Sequence, residues 1–182
     1  MRYTILIAFS IVSFQLFAQK GNVIGIASQA NLKTITGFSL EFERLNQLSE
    51  NFSLASRVGL GFFKPSSGQQ SFTFELQRGF KYNLSEQFHI EQFFGLGIMY
   101  SRYESKYWYE NDWHNLIYTG QNATSFDYIP SIATGLGYCF GKDGSLNNIL
   151  WVRPKVYWQL TTNLPSQPNF LFQIGYSRKL TG

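Results

Sequence analysis

From residue 21 onward, large apolar side chains fall on even-numbered positions and small or polar ones on odd-numbered positions. A period of two is the mark of β-strands with one apolar face. Phe38, Leu40 and Phe42 alternate with Ser39, Glu41 and Glu43. Phe52, Leu54, Val58, Leu60 and Phe62 alternate with Ser53, Ala55, Arg57, Gly59 and Gly61. The pattern continues through Phe72–Tyr82, Phe88–Tyr100, Ile132–Phe140, Leu150–Leu160 and Phe170–Tyr176, and is weaker over 21–32. That is eight strands, each near the roughly 9–11 residues that cross a bilayer when tilted.

Two segments share a design. Leu48-Ser49-Glu50-Asn51-Phe52 leads to Gly59-Leu60-Gly61, and Leu84-Ser85-Glu86-Gln87-Phe88 leads to Gly95-Leu96-Gly97 at the same offset. A hairpin unit, turn then strand, is repeated. The tight turns near Asn46–Asn51, Asn83–Gln87 and Lys142–Asn148 fall at one end. The connections near Lys33, Lys64–Gln70, Tyr103–Asp127 and Thr162–Pro168 fall at the other.

Alternation alone does not say which face is outside. Eight strands enclose only enough room for side chains to fill the interior, so the bulky even-numbered set does not fit there. The odd-numbered face is rich in glycine, which leaves space for long side chains opposite. Counting from the turns places Gly135 and Gly137 near Lys155 and Arg153, and Gly59 and Gly95 near Glu75. Aromatic residues collect at strand ends: Phe52, Tyr82 and Phe88 at one, and Phe62, Phe72, Tyr100, Tyr128, Trp158 and Phe170 at the other. Two such girdles are expected at membrane interfaces. The pattern has two faults. Arg78 sits on the apolar face, and Pro154 lies mid-strand, where a bulge is expected.

Composition agrees with an apolar exterior. Aromatic residues make up 18% of the chain and charged residues only 14%, against about 25% charged in soluble domains. The net charge is +4 with no block of like charge, which argues against a nucleic-acid partner. Met1-Arg2, an apolar run from Tyr3 to Phe17 and the small Ala18 read as a secretory signal. Cleavage after Ala18 leaves residues 19–182 as one barrel domain. A lipoprotein needs a cysteine just after the apolar run, and the one cysteine is Cys139.

The leader ending Leu16-Phe17-Ala18-Gln19, the repeated Gly-Leu-Gly strands and the final Phe170-Leu171-Phe172-Gln173-Ile174-Gly175-Tyr176-Ser177 resemble the small outer-membrane β-barrel proteins of Bacteroidetes. These are similar in architecture to OmpX and OmpA. The resemblance implies an all-β, eight-stranded antiparallel up-and-down transmembrane barrel, monomeric in the outer membrane. Its expected partners are outer-membrane lipid and lipopolysaccharide, and the assembly machinery that inserts such barrels. Many relatives of this kind end on an aromatic residue, whereas this chain ends Lys179-Leu180-Thr181-Gly182. Leu180 or Tyr176 then takes that place.

The inward face holds the charges. Glu41, Arg57 and Glu75 fall on three adjacent strands at matching heights, so that Arg57 is expected between two carboxylates. Lys81, His89 and Glu91 form a second group, and Arg153, Lys155 and Lys179 line the opposite wall. Paired charges filling the lumen are the expectation for Glu41, Arg57, Glu75, Lys81, Glu91, Arg153 and Lys155, with an ion path as the alternative. Catalysis has little support. Barrel deacylases acting on lipid A carry a lipid-facing His, a Ser two residues on and a Glu, and neither His89 nor His114 has that spacing. The histidines and Cys139 do not match metal-ligand spacing, and no cofactor is expected. The connection 103–127 mixes Tyr107, Trp108, Tyr109, Trp113 and Tyr118 with Glu104, Glu110, Asn111, Asp112 and Asn115. Such a loop suits contact with a glycan or another surface protein. The expected function is therefore a non-enzymatic surface role: envelope integrity, adhesion or partner binding. The alternatives are a lipid-modifying outer-membrane enzyme and a soluble, lipocalin-like ligand-binding barrel.

Overall fold

A computed structural model describes residues 20–31, 35–66, 69–103, 108–112, 115–118, 123–141, 146–160 and 167–180. The expected leader, residues 1–18, lies outside them. The strands are β1 (Lys20–Asn31), β2 (Ile35–Gln47), β3 (Phe52–Ser66), β4 (Gln69–Asn83), β5 (Phe88–Tyr103), β6 (Trp108–Asp112), β7 (Asn115–Tyr118), β8 (Ala123–Tyr128), β9 (Ser131–Phe140), β10 (Asn148–Gln159) and β11 (Gln167–Leu180).

Each wall strand pairs antiparallel with its sequence neighbours, and β1 pairs with β11 to close the sheet, with Ile26 opposite Tyr176. Strands β8 and β9 are one stave. Both run against β5 in a single register, from Met99↔Asp127 to Phe93↔Ala133. The ladder is interrupted only around Pro130, which has no N–H to give. The backbone still holds there, with Ile129 N donating to the Gly97 carbonyl at 2.9 Å and Trp158 N to the Pro130 carbonyl at 3.0 Å. Counted so, the barrel is closed and eight-stranded. Closure leaves the barrel wall without an open edge, a requirement for strands in lipid.

The even-numbered face is outside. Leu96 and Leu136 are each 63% exposed, and Ile24, Leu40, Phe74 and Ile174 are bare alongside them. A continuous apolar exterior of this kind is a membrane surface rather than a solvated one. A soluble ligand-binding barrel needs the same residues inside, so that alternative is overturned. Aromatic pairs band the two rims: Phe88–Tyr138 (5.0 Å) and Phe52–Phe80 (5.8 Å) near the short turns, and Phe62–Phe72 (5.0 Å) and Tyr100–Phe126 (4.9 Å) near the other end. Short turns face the periplasm in barrels of this type.

Three sequence expectations are corrected. Pro154 makes no bulge: Val152↔Leu136 and Lys155↔Ala133 hold one register past it, and Pro154 stays paired with Phe172. Its missing N–H faces β9 and costs one ladder bond without adding a residue. Second, Lys155 stands opposite Ala133 and Trp151 opposite Gly137, two residues from the counted register. Counting does not locate where the ladder ends in the connection from Gly141 to Asn147. Third, Glu75 lies between Gly59 and Gly97, not Gly95. Arg78 is outward, as expected, with Nη1 3.2 Å from Ser56 Oγ. A lipid-facing arginine costs up to about 2–4 kcal/mol at the midplane and less toward the interface.

Candidate functional site

The odd-numbered positions of every stave converge on the lumen, so charges far apart in sequence meet there. Glu41 and Glu43 come from β2, Arg57 from β3, Lys81 from β4, Glu91 from β5 and Arg153 from β10. Glu91 accepts from Arg153 Nε at 2.6 Å and has Lys81 Nζ at 3.3 Å and Arg57 Nη2 at 3.4 Å. Arg57 reaches Glu43 at 2.6 Å and Glu41 at 3.4 Å, while Arg153 also reaches Glu41 at 2.9 Å. Lys81 reaches Glu43 at 2.7 Å. Three carboxylates and three cations thus form one neutral cluster.

Arg57 is flanked by Glu41 and Glu43, not by Glu41 and Glu75, the pair that matching heights suggest. Glu75 pairs across the lumen with Lys155 and accepts from Gln77 Nε2 at 2.9 Å. Glu43 is the member that sequence reasoning misses. Its odd position puts it on the right face, but its height next to Arg57 depends on the β2–β3 register, in which Glu43 is opposite Arg57.

Aromatic rings wedge the cluster in place. The Arg57 guanidinium lies 3.6 Å over the Phe93 ring centre, and that of Arg153 lies 3.7 Å over Trp151. Each such contact contributes on the order of 0.5–2 kcal/mol. Trp151 is itself held by its Nε1 donating to Ser177 Oγ at 2.7 Å. Toward the loop end, Phe63, Met99 and Ile129 form an apolar layer. Voids beside the Glu75–Lys155 pair measure about 10 and 20 Å³, against roughly 10–15 Å³ needed for one water. An ion path through this section has no room. Among the described residues, the arrangement is a plug: charges desolvated in a lumen remain stable only when paired.

The turn end opens into a cavity of about 370 Å³ bounded by Gln47, Ser53, Asn83, His89, Cys139 and Lys179. Cys139 Sγ lies 3.7 Å from His89 Nδ1, and the His89 ring lies against Gly137, where a Cβ would collide with it. His89 is in the lumen and 3% exposed. The lipid-facing histidine of the deacylase pattern is therefore not His89, and His114 lies outside the described residues.

The long connection is shorter than 103–127. Tyr103 ends β5, and residues 123–128 belong to the wall as β8. Within it, β6 and β7 form a hairpin with Trp108 opposite Tyr118 and Tyr109 opposite Ile117. Tyr107 and Trp113 lie outside the described residues. At its base, Asp127 accepts from Gln159 Nε2 at 2.7 Å and from Ser125 Oγ at 3.1 Å.

No family model and no characterised protein sequence matches the chain. Solved structures do. A major outer membrane protein from Thermus thermophilus matches with a TM-score of 0.62 at 12% identity, over 89% of this chain and 100% of that one. Ail, the attachment invasion locus protein of Yersinia pestis, matches with a TM-score of 0.56 at 9% identity, over 91% and 100%. Neisserial surface protein A matches at 0.52 and 10% identity, over 88% and 96%. Identities this low speak for architecture alone: the chain has the fold of the small eight-stranded outer-membrane β-barrels.

Proposed function

We propose that the protein is an integral outer-membrane barrel with a non-enzymatic surface role, carried by the connection after β5. A signal of residues 1–18 delivers it, and the mature chain resembles the Bacteroidetes type of small barrel. The observation that carries the reading is the division of the molecule. The lumen is filled by paired charges, leaving no passage to serve, while β5 and β8 stay paired to Tyr103↔Ala123, past the Tyr100–Phe126 aromatic pair. That ladder carries the wall beyond the aromatic pair on the side where the connection holding β6 and β7 departs. Attachment, which the name of the Yersinia pestis protein states, is the role this division supports.

The hairpin segment has its own chemistry. Residues 104–122 hold Glu104, Glu110 and Asp112 against Lys106. Ail has also been solved in complex with the heparin analogue sucrose octasulfate, but an acidic, aromatic segment repels a polyanion. It suits a neutral glycan or a basic protein surface, with Trp and Tyr rings as contact area. The test replaces residues 105–120 by a short Gly-Ser turn and measures adhesion of whole cells to host-type and bacterial glycans and proteins. Lost binding with an intact, heat-modifiable barrel supports the reading. Unchanged binding by cells that bind through this protein removes it.

A further inference from the structure

The cavity at the turn end is a vestibule to which every stave contributes a side chain or a glycine. Ser53, Lys81, Ile149 and Lys179 line it, each within two positions of the strand end nearest the short turns. Its volume of about 370 Å³ falls within the roughly 300–1,000 Å³ of small-molecule sites. Lys81 also belongs to the charged cluster that closes the inner end. A ligand entering there meets a pocket, not a passage.

The vestibule is one-sided in charge. Among the described residues that line it, Lys81 and Lys179 are cations and none is a carboxylate. An ammonium carries three N–H donors. Lys81 Nζ directs two of them at Glu43, 2.7 Å away, and Glu91, 3.3 Å away, which leaves the third for a ligand. Lys179 is half-buried and pairs with none of the described carboxylates. Glu41, Glu43 and Glu91 already balance Arg57, Arg153 and Lys81, and Glu75 balances Lys155. The charge of Lys179 is therefore uncompensated at this end of the lumen, and it attracts an anion. The Ser53 hydroxyl adds a donor to the wall, and Leu45 and Ile149 add apolar surface. A few polar groups beside an apolar wall are the usual make-up of a site for a small organic molecule. We infer that the vestibule binds a small organic anion from the periplasm, its carboxylate or phosphate held by Lys179 and Lys81 and its apolar part against Leu45 and Ile149.

The test is isothermal titration of the mature barrel, in octyl glucoside at low salt, with phenyl phosphate, benzoate and benzylammonium. At least one of the two anions is expected to bind saturably, one per barrel, and benzylammonium is expected not to bind. If only one anion binds, that result names the head group. K179Q is expected to weaken binding at least tenfold, and K179R, which keeps the charge, to retain it within about threefold. S53F, which fills the vestibule and leaves both lysines in place, weakens binding as K179Q does. K64Q removes an exposed lysine near the far end of β3 and matches the wild type. Failure of both anions to bind overturns the site, as does binding of benzylammonium as tight as theirs. Equal affinity in wild type and K179Q, or an equal loss in K64Q, also overturns it. If S53F does not fold, the contrast between K179Q and K179R decides, and equal losses in those two overturn the proposal.

Discussion

Glu91 and Arg153 stand 62 positions apart in sequence and 2.6 Å apart in the lumen, with Arg153 only 1% exposed. Each is the other's nearest charge partner. The pair joins β5 to β10 across the interior and ties in Arg57 and Lys81. A cluster of this kind converts a polar lumen into a solid one.

E91A should therefore destabilise the barrel strongly. Removing one member of a buried pair leaves a desolvated charge and costs about 3–5 kcal/mol. Here three cations lose a partner at once. Denaturant unfolding in micelles is expected to show that loss for E91A, and a smaller one for E91A/R153M, in which Arg153's orphaned charge is also gone. A double variant as unstable as the sum of the singles would show that the pair is not coupled.

Glycines in the wall differ in what they make room for. A Cβ at Gly175 would run into the Trp151 indole, whereas one at Gly59 meets nothing within 4 Å. G175A is expected to cost about 1–3 kcal/mol through overpacking, because Trp151 is pinned between Ser177 and Arg153. G59A should stay within about 0.5 kcal/mol of wild type. The contrast is read by unfolding both variants side by side. Equal effects would mean that the lumen is not packed as described.

A filled lumen carries no current. Planar bilayers holding the purified barrel should show no steady single-channel conductance across a wide voltage range. Regular conductance steps that vanish on adding an antibody to the barrel would contradict the plug.

The mature protein should begin at Gln19. Intact-mass measurement on protein taken from the outer membrane checks this directly, and a mass retaining residues 1–18 would replace the signal by an anchor.

The face turned to lipid and the set of charges sent inward are legible in the sequence because a period of two encodes both, and strand order is legible because short turns join antiparallel neighbours. Pairings within the lumen are not. Which carboxylate meets Arg57 depends on strand register and on side chains reaching across the barrel, and parity is blind to both. Glu43 escapes notice for that reason, and Glu75 faces Lys155 rather than Arg57. Pro154 misleads because a missing N–H reads as an extra residue, whereas the β9–β10 ladder skips one bond and continues. A polar row on the exterior is invisible for a related reason. Arg78 reads as an isolated fault until the β2–β3–β4 register sets it opposite Ser56, and Ser56 opposite Arg44.

A membrane barrel requires the even-numbered face to lie against lipid. Spin labels placed singly at Leu60, Leu96 and Leu136, in a C139S background reconstituted into bilayers, test it most directly through their collisions with oxygen and with a water-soluble nickel chelate. Oxygen should dominate at all three, and the chelate should dominate at Ser49 and Glu86 in the turns. Chelate-dominated collisions at Leu60, Leu96 and Leu136 would place that face in water and contradict the membrane barrel.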